Sequence, residues 1–168
     1  YFSRIPARVD SNTVFSRLGY KKRSTILKEN FRDEISGWIE EAVSAVKLEA
    51  ITEILEVRQE GNLKLIFSAE NQDTPSAEMF RADRNPEFKV NSKSLSKFLS
   101  GCSRVLLMGI TGGNGIMELI DSSQKTNMTK AVVIDAAAGE IVDNGFDYIT
   151  SLVNRELTRE SAGLMKKR

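Results

Sequence analysis

The sequence contains no histidine and a single cysteine, Cys102. Without histidine there is no imidazole base, no Cys–His nucleophile pair and no imidazole ligand for a metal. A lone cysteine excludes an internal disulfide and a zinc site built from several thiolates. Serine and threonine are plentiful, but none has an evident base. The sequence therefore predicts neither a catalytic residue nor a metal ligand.

The sequence also lacks a marked charge excess and a long hydrophobic run. It has 24 basic and 23 acidic residues, a net charge of +1, whereas nucleic-acid-binding domains usually carry a basic excess. No apolar run approaches the roughly 18 residues that span a membrane, and no signal-peptide pattern opens the chain. We therefore expect a cytoplasmic protein without a nucleic-acid or membrane partner.

The length of 168 residues and the hydrophobic content of 40% fit a globular domain with its own core. We expect residues 1–168 to form a single domain. The chain begins at Tyr1 rather than methionine and ends at Arg168 without a helix cap, which leaves truncation open at either end, the C-terminus included. Predicted strands precede, separate and follow predicted helices without strict alternation. This order favours an α+β fold, an antiparallel sheet with helices packed around it.

Hydrophobic spacing and cap residues predict the elements of the first part of the chain. They are a helix capped by Asp10, Ser11 or Asn12 and closed by Gly19, a helix over 30–46, a hairpin with strands over 47–58 and 63–67, a strand over 88–90, and a helix led by Ser92. In that last helix, Leu95, Phe98 and Leu99 are predicted to face the core. Residues 69–86 are polar and lack periodicity, so they are predicted as a long connection.

The second part of the chain is predicted to be the organising unit of the fold. A buried, central strand over 105–110 leads into a glycine turn and a helix over 115–124. A long helix then begins after Thr126 or Asn127 and runs to Arg159. Its predicted inner face consists of Ala131, Ile134, Ala138, Ile141, Gly145, Tyr148 and Leu152. The small side chains of Ala136, Ala137, Ala138 and Gly139 leave room for another backbone, so we predict a close approach of this helix to the glycine turn. The helix loses stability to allow it, since a helical glycine costs about 1 kcal/mol relative to alanine.

Two features could hold a ligand, and for each the residues alone leave a plain structural alternative open. The glycine turn at Gly112 and Gly113 precedes a helix, whose free N–H groups can bind an anion. Its spacing matches neither the dinucleotide fingerprint nor the phosphate-binding loop, so a tight structural turn is the alternative. The second feature is a set of carboxylates on the last two helices, which either face solvent or contact a cationic ligand. They are Glu118, Asp121, Asp135 and Glu140.

The segments LLMGITGGNGIMELI, residues 106–120, and KAVVIDAAAGEIVDNGFDYI, residues 130–149, resemble a known family. The family is the S-adenosylmethionine-binding reactivation domain of cobalamin-dependent methionine synthase, in a stand-alone version. The shared pattern is an apolar strand ending in Thr-x-Gly, a short helix, and a long helix with an Asp-Ala-x-Gly-like small face. In this sequence the first motif is Thr111, Gly112 and Gly113, and the second runs from Asp135 to Gly139. The resemblance covers the C-terminal half well and the N-terminal half only in the order of elements.

The resemblance implies a fold like that of the methionine synthase activation domain and a site for S-adenosylmethionine. The family's ligand loop carries an Arg-x-x-Pro-Gly-Tyr motif, and Arg168 stands where its arginine could lie, without the Pro-Gly-Tyr part. Glu140 is the carboxylate expected to face the cationic end of the ligand. Thr111, Gly112 and Gly113 are expected to bind the cofactor. The family also has an acidic contact near its N-terminal helix. Asp10 is the one candidate for it here, and the match is poor.

The resemblance also implies that the chain acts together with partner proteins. Such a module binds S-adenosylmethionine for reductive methylation of a cobalamin held by a partner module of methionine synthase, with a flavodoxin-type reductant. It is an accessory part of a methyltransferase in methionine biosynthesis, not a catalyst by itself.

The alternative function is a non-catalytic binding or assembly domain that packs a partner chain against the small-residue helix. A nucleotide-binding enzyme that uses the glycine turn is a weaker third hypothesis, because the phosphate-loop lysine is missing.

Overall fold

The computed structural model describes residues 1–21, 28–69, 87–159 and 163–164. Within these residues the chain forms helices and strands in a mixed order. The elements are α1 (Ser11–Arg17), α2 (Glu29–Ala45), β1 (Glu49–Glu60), β2 (Lys64–Ala69), β3 (Phe88–Asn91), α3 (Lys93–Phe98), β4 (Arg104–Thr111), α4 (Asn114–Thr126) and α5 (Met128–Arg159). The helices, the hairpin and the strands were all predicted near these bounds. The predicted connection over 69–86 lies almost wholly outside the described residues.

The strands form one four-stranded sheet in the order β3-β2-β1-β4. In the β1–β2 hairpin, Glu60 lies opposite Lys64 and Leu55 opposite Ala69, an antiparallel register. β2 and β3 are also antiparallel, with Phe67 opposite Phe88. The prediction of an α+β fold with an antiparallel sheet is therefore confirmed.

The prediction that the strand after Arg104 is buried and central is wrong. β4 stands at the edge of the sheet formed by the described strands. Its residues are half-buried or exposed, and Leu107 is 53% exposed. The prediction failed because a short apolar run fits a covered strand and a half-covered one equally well. Hydrophobic side chains alone did not indicate how many neighbours the strand has.

Contacts divide the described chain into two compact units. The first unit comprises the described residues within Tyr1–Ile51 and Ile110–Met165, and the second comprises those within Thr52–Gly109. The expectation of a single domain over residues 1–168 stays a prediction. In the described part of the chain, no helix has both the length and the apolar composition that crossing a membrane requires.

The second unit has a small core on one side of the β1–β2 hairpin. Its buried members are Leu55, Val57, Leu65 and Phe67, against which Val90, Leu95, Leu99, Cys102 and Val105 pack. Ser92 caps α3, because its hydroxyl accepts a hydrogen bond from the Leu95 amide at 3.2 Å. The inward face of α3 is completed by Ser96, which is buried and accepts a hydrogen bond from Gln59 Nε2 at 2.6 Å.

The prediction that Phe98 faces the core is wrong, since this side chain is 48% exposed. Leu95, Ser96 and Leu99 share one face of α3, and a step of 100° per residue places Phe98 well to the side of that face. The polar Ser96 occupies the inward position that the sequence pattern assigned to the larger apolar residue.

The first unit is built around α5, which packs against α1, α2 and α4. Its buried residues are Ala131, Val133, Ile134, Ala136, Ala137, Ile141, Gly145 and Ile149. Of the seven predicted inner-face residues, Ala131, Ile134, Ile141 and Gly145 are buried, and Ala138 and Leu152 are half-buried. Tyr148 is the exception, because it is 40% exposed while its neighbour Ile149 is fully buried. A helical pattern that allows steps of three or four cannot distinguish two adjacent residues at its end.

One residue, Asn127, joins α4 to α5. Its backbone N–H donates to Ser123 O at 2.7 Å and so closes α4. Its side-chain Oδ1 accepts a hydrogen bond from the Lys130 amide at 3.0 Å and so caps α5. Of the two caps predicted for the long helix, the structure selects Asn127 and leaves Thr126 as the last residue of α4.

Candidate functional site

A groove of about 570 Å³ lies in the first unit between the N-terminal segment and α5. One wall is formed by the residues that lead into α1, and the other by one face of α5. The lining residues are Pro6, Arg8, Val9, Asp10, Thr13, Asn144, Asp147, Tyr148 and Ser151. The groove is open to solvent and mixed in character, with two carboxylates, one guanidinium and one aromatic ring.

The helix wall of the groove follows directly from helical geometry. Asn144, Asp147, Tyr148 and Ser151 are spaced by three and four residues, so they share one face of α5. Ser151 donates its hydroxyl hydrogen to Asp147 O at 2.8 Å, a bond within the helix that leaves the Asp147 carboxylate available. This polar face of α5 lies beside the buried face that carries Gly145 and Ile149.

The opposite wall is held in place by the cap of α1 and by one bond to α5. Asp10 caps α1, because its Oδ1 accepts from the Asn12 amide at 2.9 Å. Thr13 Oγ1 donates back to Asp10 O at 2.7 Å. Asn144 Nδ2 donates across the groove to Arg8 O at 3.0 Å. The carboxylate of Asp10 therefore has a structural role as well as a place in the groove.

Three polar groups of the groove have no hydrogen-bond or ion-pair partner among the described residues. They are the guanidinium of Arg8, the carboxylate of Asp147 and the hydroxyl of Tyr148. A positive charge, a negative charge and an aromatic ring with a polar tip are thus available in one groove. Such a set fits a small zwitterionic ligand with a planar ring.

Beside the groove, Arg17 at the end of α1 binds two carboxylates of α5. Its Nε donates to Glu140 Oε1 at 2.6 Å, and its Nη2 donates to Asp143 Oδ2 at 2.5 Å. Asp143 and Glu140 hold the pKa of the Arg17 guanidinium above its usual value. We call this arrangement the Arg17 clamp. Gly139 makes it possible, since a Cβ at that position would overlap Arg17 Nη1.

The clamp bears directly on Glu140, the carboxylate expected to meet the cationic end of a ligand. Its side chain is 17% exposed and already has a cationic partner in Arg17. Glu140 does not line the groove, although Asn144 stands one helical turn further along the same helix. Its expected role in ligand binding stays a prediction.

Close backbone contacts explain two glycines of the glycine turn, Gly113 and Gly115. Gly113 adopts φ +81°, and a Cβ there would lie 3.2 Å from Lys47 O. A Cβ on Gly115 would lie 3.0 Å from Ala45 O, and Gly112 O accepts a hydrogen bond from Lys47 N at 2.8 Å. The glycines therefore let the turn pack against the backbone that links α2 to β1.

The predicted close approach of the small-residue helix to this turn is found only in part. α5 reaches the turn through Val142, whose Cγ2 would lie 4.0 Å from a Cβ on Gly112. The nearest atoms to a Cβ at Gly113 belong to Lys47, and those to a Cβ at Gly139 belong to Arg17. The bare side of α5 at Gly139 thus accommodates α1 instead of the glycine turn.

The other expected ligand residues lie away from the groove or outside the described chain. Thr111 is exposed, and its Oγ1 accepts a hydrogen bond from Gly113 N at 3.2 Å. None of Thr111, Gly112 and Gly113 lines the groove. Arg168 lies outside the described residues. In the part of the chain that the structure describes, no group of three or more Cys, Asp or Glu side chains is placed to hold a metal.

Sequence reasoning missed Arg8, Asp147 and Tyr148 as candidate site residues. The only available signal was the polar spacing of Asn144, Asp147 and Ser151, which is also what a solvent-facing helix surface shows. Comparison with known proteins adds no family assignment. No protein-family model matches the sequence, and no curated protein is significantly similar to it.

Proposed function

We propose that this chain binds S-adenosylmethionine and presents its methyl group to a cobalamin carried by a separate module of methionine synthase. A flavodoxin-type reductant supplies the electron for this reductive methylation. The proposal includes an activation-domain-like fold and a cytoplasmic location. It is supported by the sequence pattern of residues 106–149 and, above all, by the unpartnered polar groups that share the groove beside α5.

The groove offers a complementary group for each part of this ligand. S-adenosylmethionine carries a carboxylate, a cationic amino group, a sulfonium and a purine. The Arg8 guanidinium can pair with the carboxylate, and the Asp147 carboxylate with the cationic groups. The exposed ring of Tyr148 offers a surface for the purine. The groove therefore offers an opposite charge for the carboxylate of the ligand and one for its cationic end.

The contribution of this chain is binding and orientation. A cobalamin held by the partner and reduced by one electron would supply the nucleophile for the methyl group, and S-adenosylhomocysteine, a thioether, would be the leaving group. No proton is transferred by the protein in this scheme, so no histidine is required. Arg8 and Asp147 would instead hold the ligand in the open groove.

Calorimetric titration of the full chain with S-adenosylmethionine tests the proposal. We expect Asp147→Asn and Tyr148→Leu each to weaken binding about tenfold or more, because each removes a charge-assisted contact or a stacking surface. The matched control is Asp135→Asn, an exposed carboxylate on the same helix that does not line the groove, and its affinity should equal that of the parent chain. Absence of heat and of a thermal shift at millimolar ligand would refute the proposal.

The alternative, an assembly domain that packs a partner against the small-residue helix, has weaker support. Ala136 and Ala137 are buried within the chain itself, and Gly139 is covered by Arg17. A partner chain would therefore have to use a different surface. A ligand-independent oligomer in light scattering, together with no binding of S-adenosylmethionine, would favour this alternative. Binding of ATP in place of S-adenosylmethionine would favour a nucleotide-binding protein.

A further inference from the structure

The N-terminal wall of the groove is a strap, which we define as residues 6–17. On its N-terminal side, Phe2 and Ala50 form an antiparallel bridge with N–O distances of 2.8 and 2.9 Å. On its C-terminal side, the Arg17 clamp ties the end of α1 to α5. The buried Val14 fastens α1 to the body of the unit. The strap is therefore fixed at both ends.

Between these fixed points, the part of the strap that lines the groove has few bonds of its own. Residues 6–10 belong to no helix or strand. The described hydrogen bond from this part to α5 is the one between Asn144 Nδ2 and Arg8 O. The opposite wall is a face of a continuous helix, which cannot change shape locally without breaking its own hydrogen bonds. The backbone of the strap is therefore more easily displaced than that of the opposite wall.

The clamp and the groove are coupled through neighbouring residues of α5. Asp143 binds Arg17, and the next residue, Asn144, binds Arg8 and lines the groove. Arg17 itself does not line the groove. Its influence on a bound ligand is therefore indirect. Because the clamp is an ion pair of a partly exposed arginine, it can open without disturbing the buried core around Val14.

We propose that Arg17 is a positioning residue whose clamp on Glu140 and Asp143 sets the position of the strap, and that the strap closes the groove over its ligand. This inference rests on the proposed function for the identity of the ligand as S-adenosylmethionine. It also gives Glu140 a role that differs from direct contact with the ligand, since Glu140 holds the arginine that holds the strap.

Hydrogen exchange of the ligand-free chain tests the strap independently of any ligand. In Arg17→Met we expect amides of residues 6–17 to exchange at least about threefold faster, because local opening of a segment costs less once its tie is removed. Arg159→Met is the matched control, since Arg159 is also paired with a glutamate on α5 but lies outside the strap. Arg17→Lys should restore part of the protection. An unchanged circular dichroism spectrum shows that the variants are folded, and unchanged strap exchange in Arg17→Met overturns the inference.

Binding of S-adenosylmethionine to the same variants separates the inference from the proposed function. We expect Arg17→Met to weaken binding about fivefold or more through faster dissociation, because a ligand held by a fractionally closed site binds less tightly. Equal affinity of Arg17→Met and the parent chain, alongside faster strap exchange, overturns the positioning role. If the parent chain does not bind S-adenosylmethionine but the strap opens in Arg17→Met, the proposed function fails and the clamped strap stands.

Discussion

Gly37 in α2 and Gly145 in α5 are both helical glycines that can be replaced by alanine, but their surroundings differ. A Cβ added to Gly37 has no atom within 4 Å. A Cβ added to Gly145 would lie 2.6 Å from Ile110 Cδ1 and 3.1 Å from Leu48 Cδ1. Replacing each glycine by alanine therefore favours the helix in both cases and crowds the core only at Gly145.

Whether each substitution stabilises or destabilises the chain depends on the gain in helix propensity compared with the cost of crowding the core. Alanine is favoured over glycine inside a helix by about 1 kcal/mol, so we expect Gly37→Ala to stabilise the chain by about that amount. Overpacking a core typically costs about 1–3 kcal/mol. Ile110 Cδ1 ends a flexible side chain and can shift, but Leu48 is itself buried and limits the space. We therefore expect the crowding to exceed the gain in helix propensity, with Gly145→Ala destabilised by about 1 kcal/mol.

Urea unfolding followed by the fluorescence of Trp38, the one tryptophan, measures both variants against the parent chain. With a denaturant slope of about 1–3 kcal/mol per molar urea, a difference near 2 kcal/mol separates the two midpoints by about 1 M. Circular dichroism of the helices provides a second probe of the same transition. If Gly145→Ala raised the midpoint as much as Gly37→Ala, the packing of Ile110 and Leu48 against α5 could not be as described.

Two further predictions concern the second unit. Ser92→Ala should cost about 1 kcal/mol in urea unfolding because it removes the cap of α3, whereas Ser92→Gly should cost only a few tenths; equal effects of the two variants would contradict the capping role. The hydrogen bond from Lys64 Nζ lowers the pKa of Glu60, so carboxyl NMR should show this pKa rising toward its usual value in Lys64→Met. The stabilisation from this pair is complete above the pKa of Glu60 in the unfolded chain and is lost as the pH falls through the lowered pKa of the folded chain. If the pKa of Glu60 is the same in Lys64→Met as in the parent chain, Lys64 does not cause the lowering of this pKa.

The elements of the fold were largely predictable because their signals are local. Asp10, Ser92 and Asn127 act as caps where the sequence predicts them, and the turn after Glu60 closes the predicted hairpin. The errors concern the position of β4 in the sheet and which side of a helix faces the core. Tyr148 and Ile149 differ by one residue, which is 100° on a helix, and only packing decides between them.

The candidate site was much less predictable than the fold. Arg8 and Asp147 meet in one groove although they stand far apart in the sequence, and neither belongs to a motif. The resemblance implied a ligand contact for Glu140, whereas its ion pair with Arg17, from a helix near the other end of the chain, had no signal in the sequence. Long-range pairings of this kind depend on the packing of α1 on α5, which no local pattern encodes.

Gly139 and Arg17 should be constrained together during evolution. The guanidinium occupies the space that a Cβ at position 139 would fill, so a substitution there forces the guanidinium to shift from its place between the two carboxylates. A divergent sequence that carries a larger residue at position 139 would be free to lose the arginine, and one that keeps the arginine would need to keep the glycine. A correlated pair of positions separated by most of the chain would be the genetic signature of this contact.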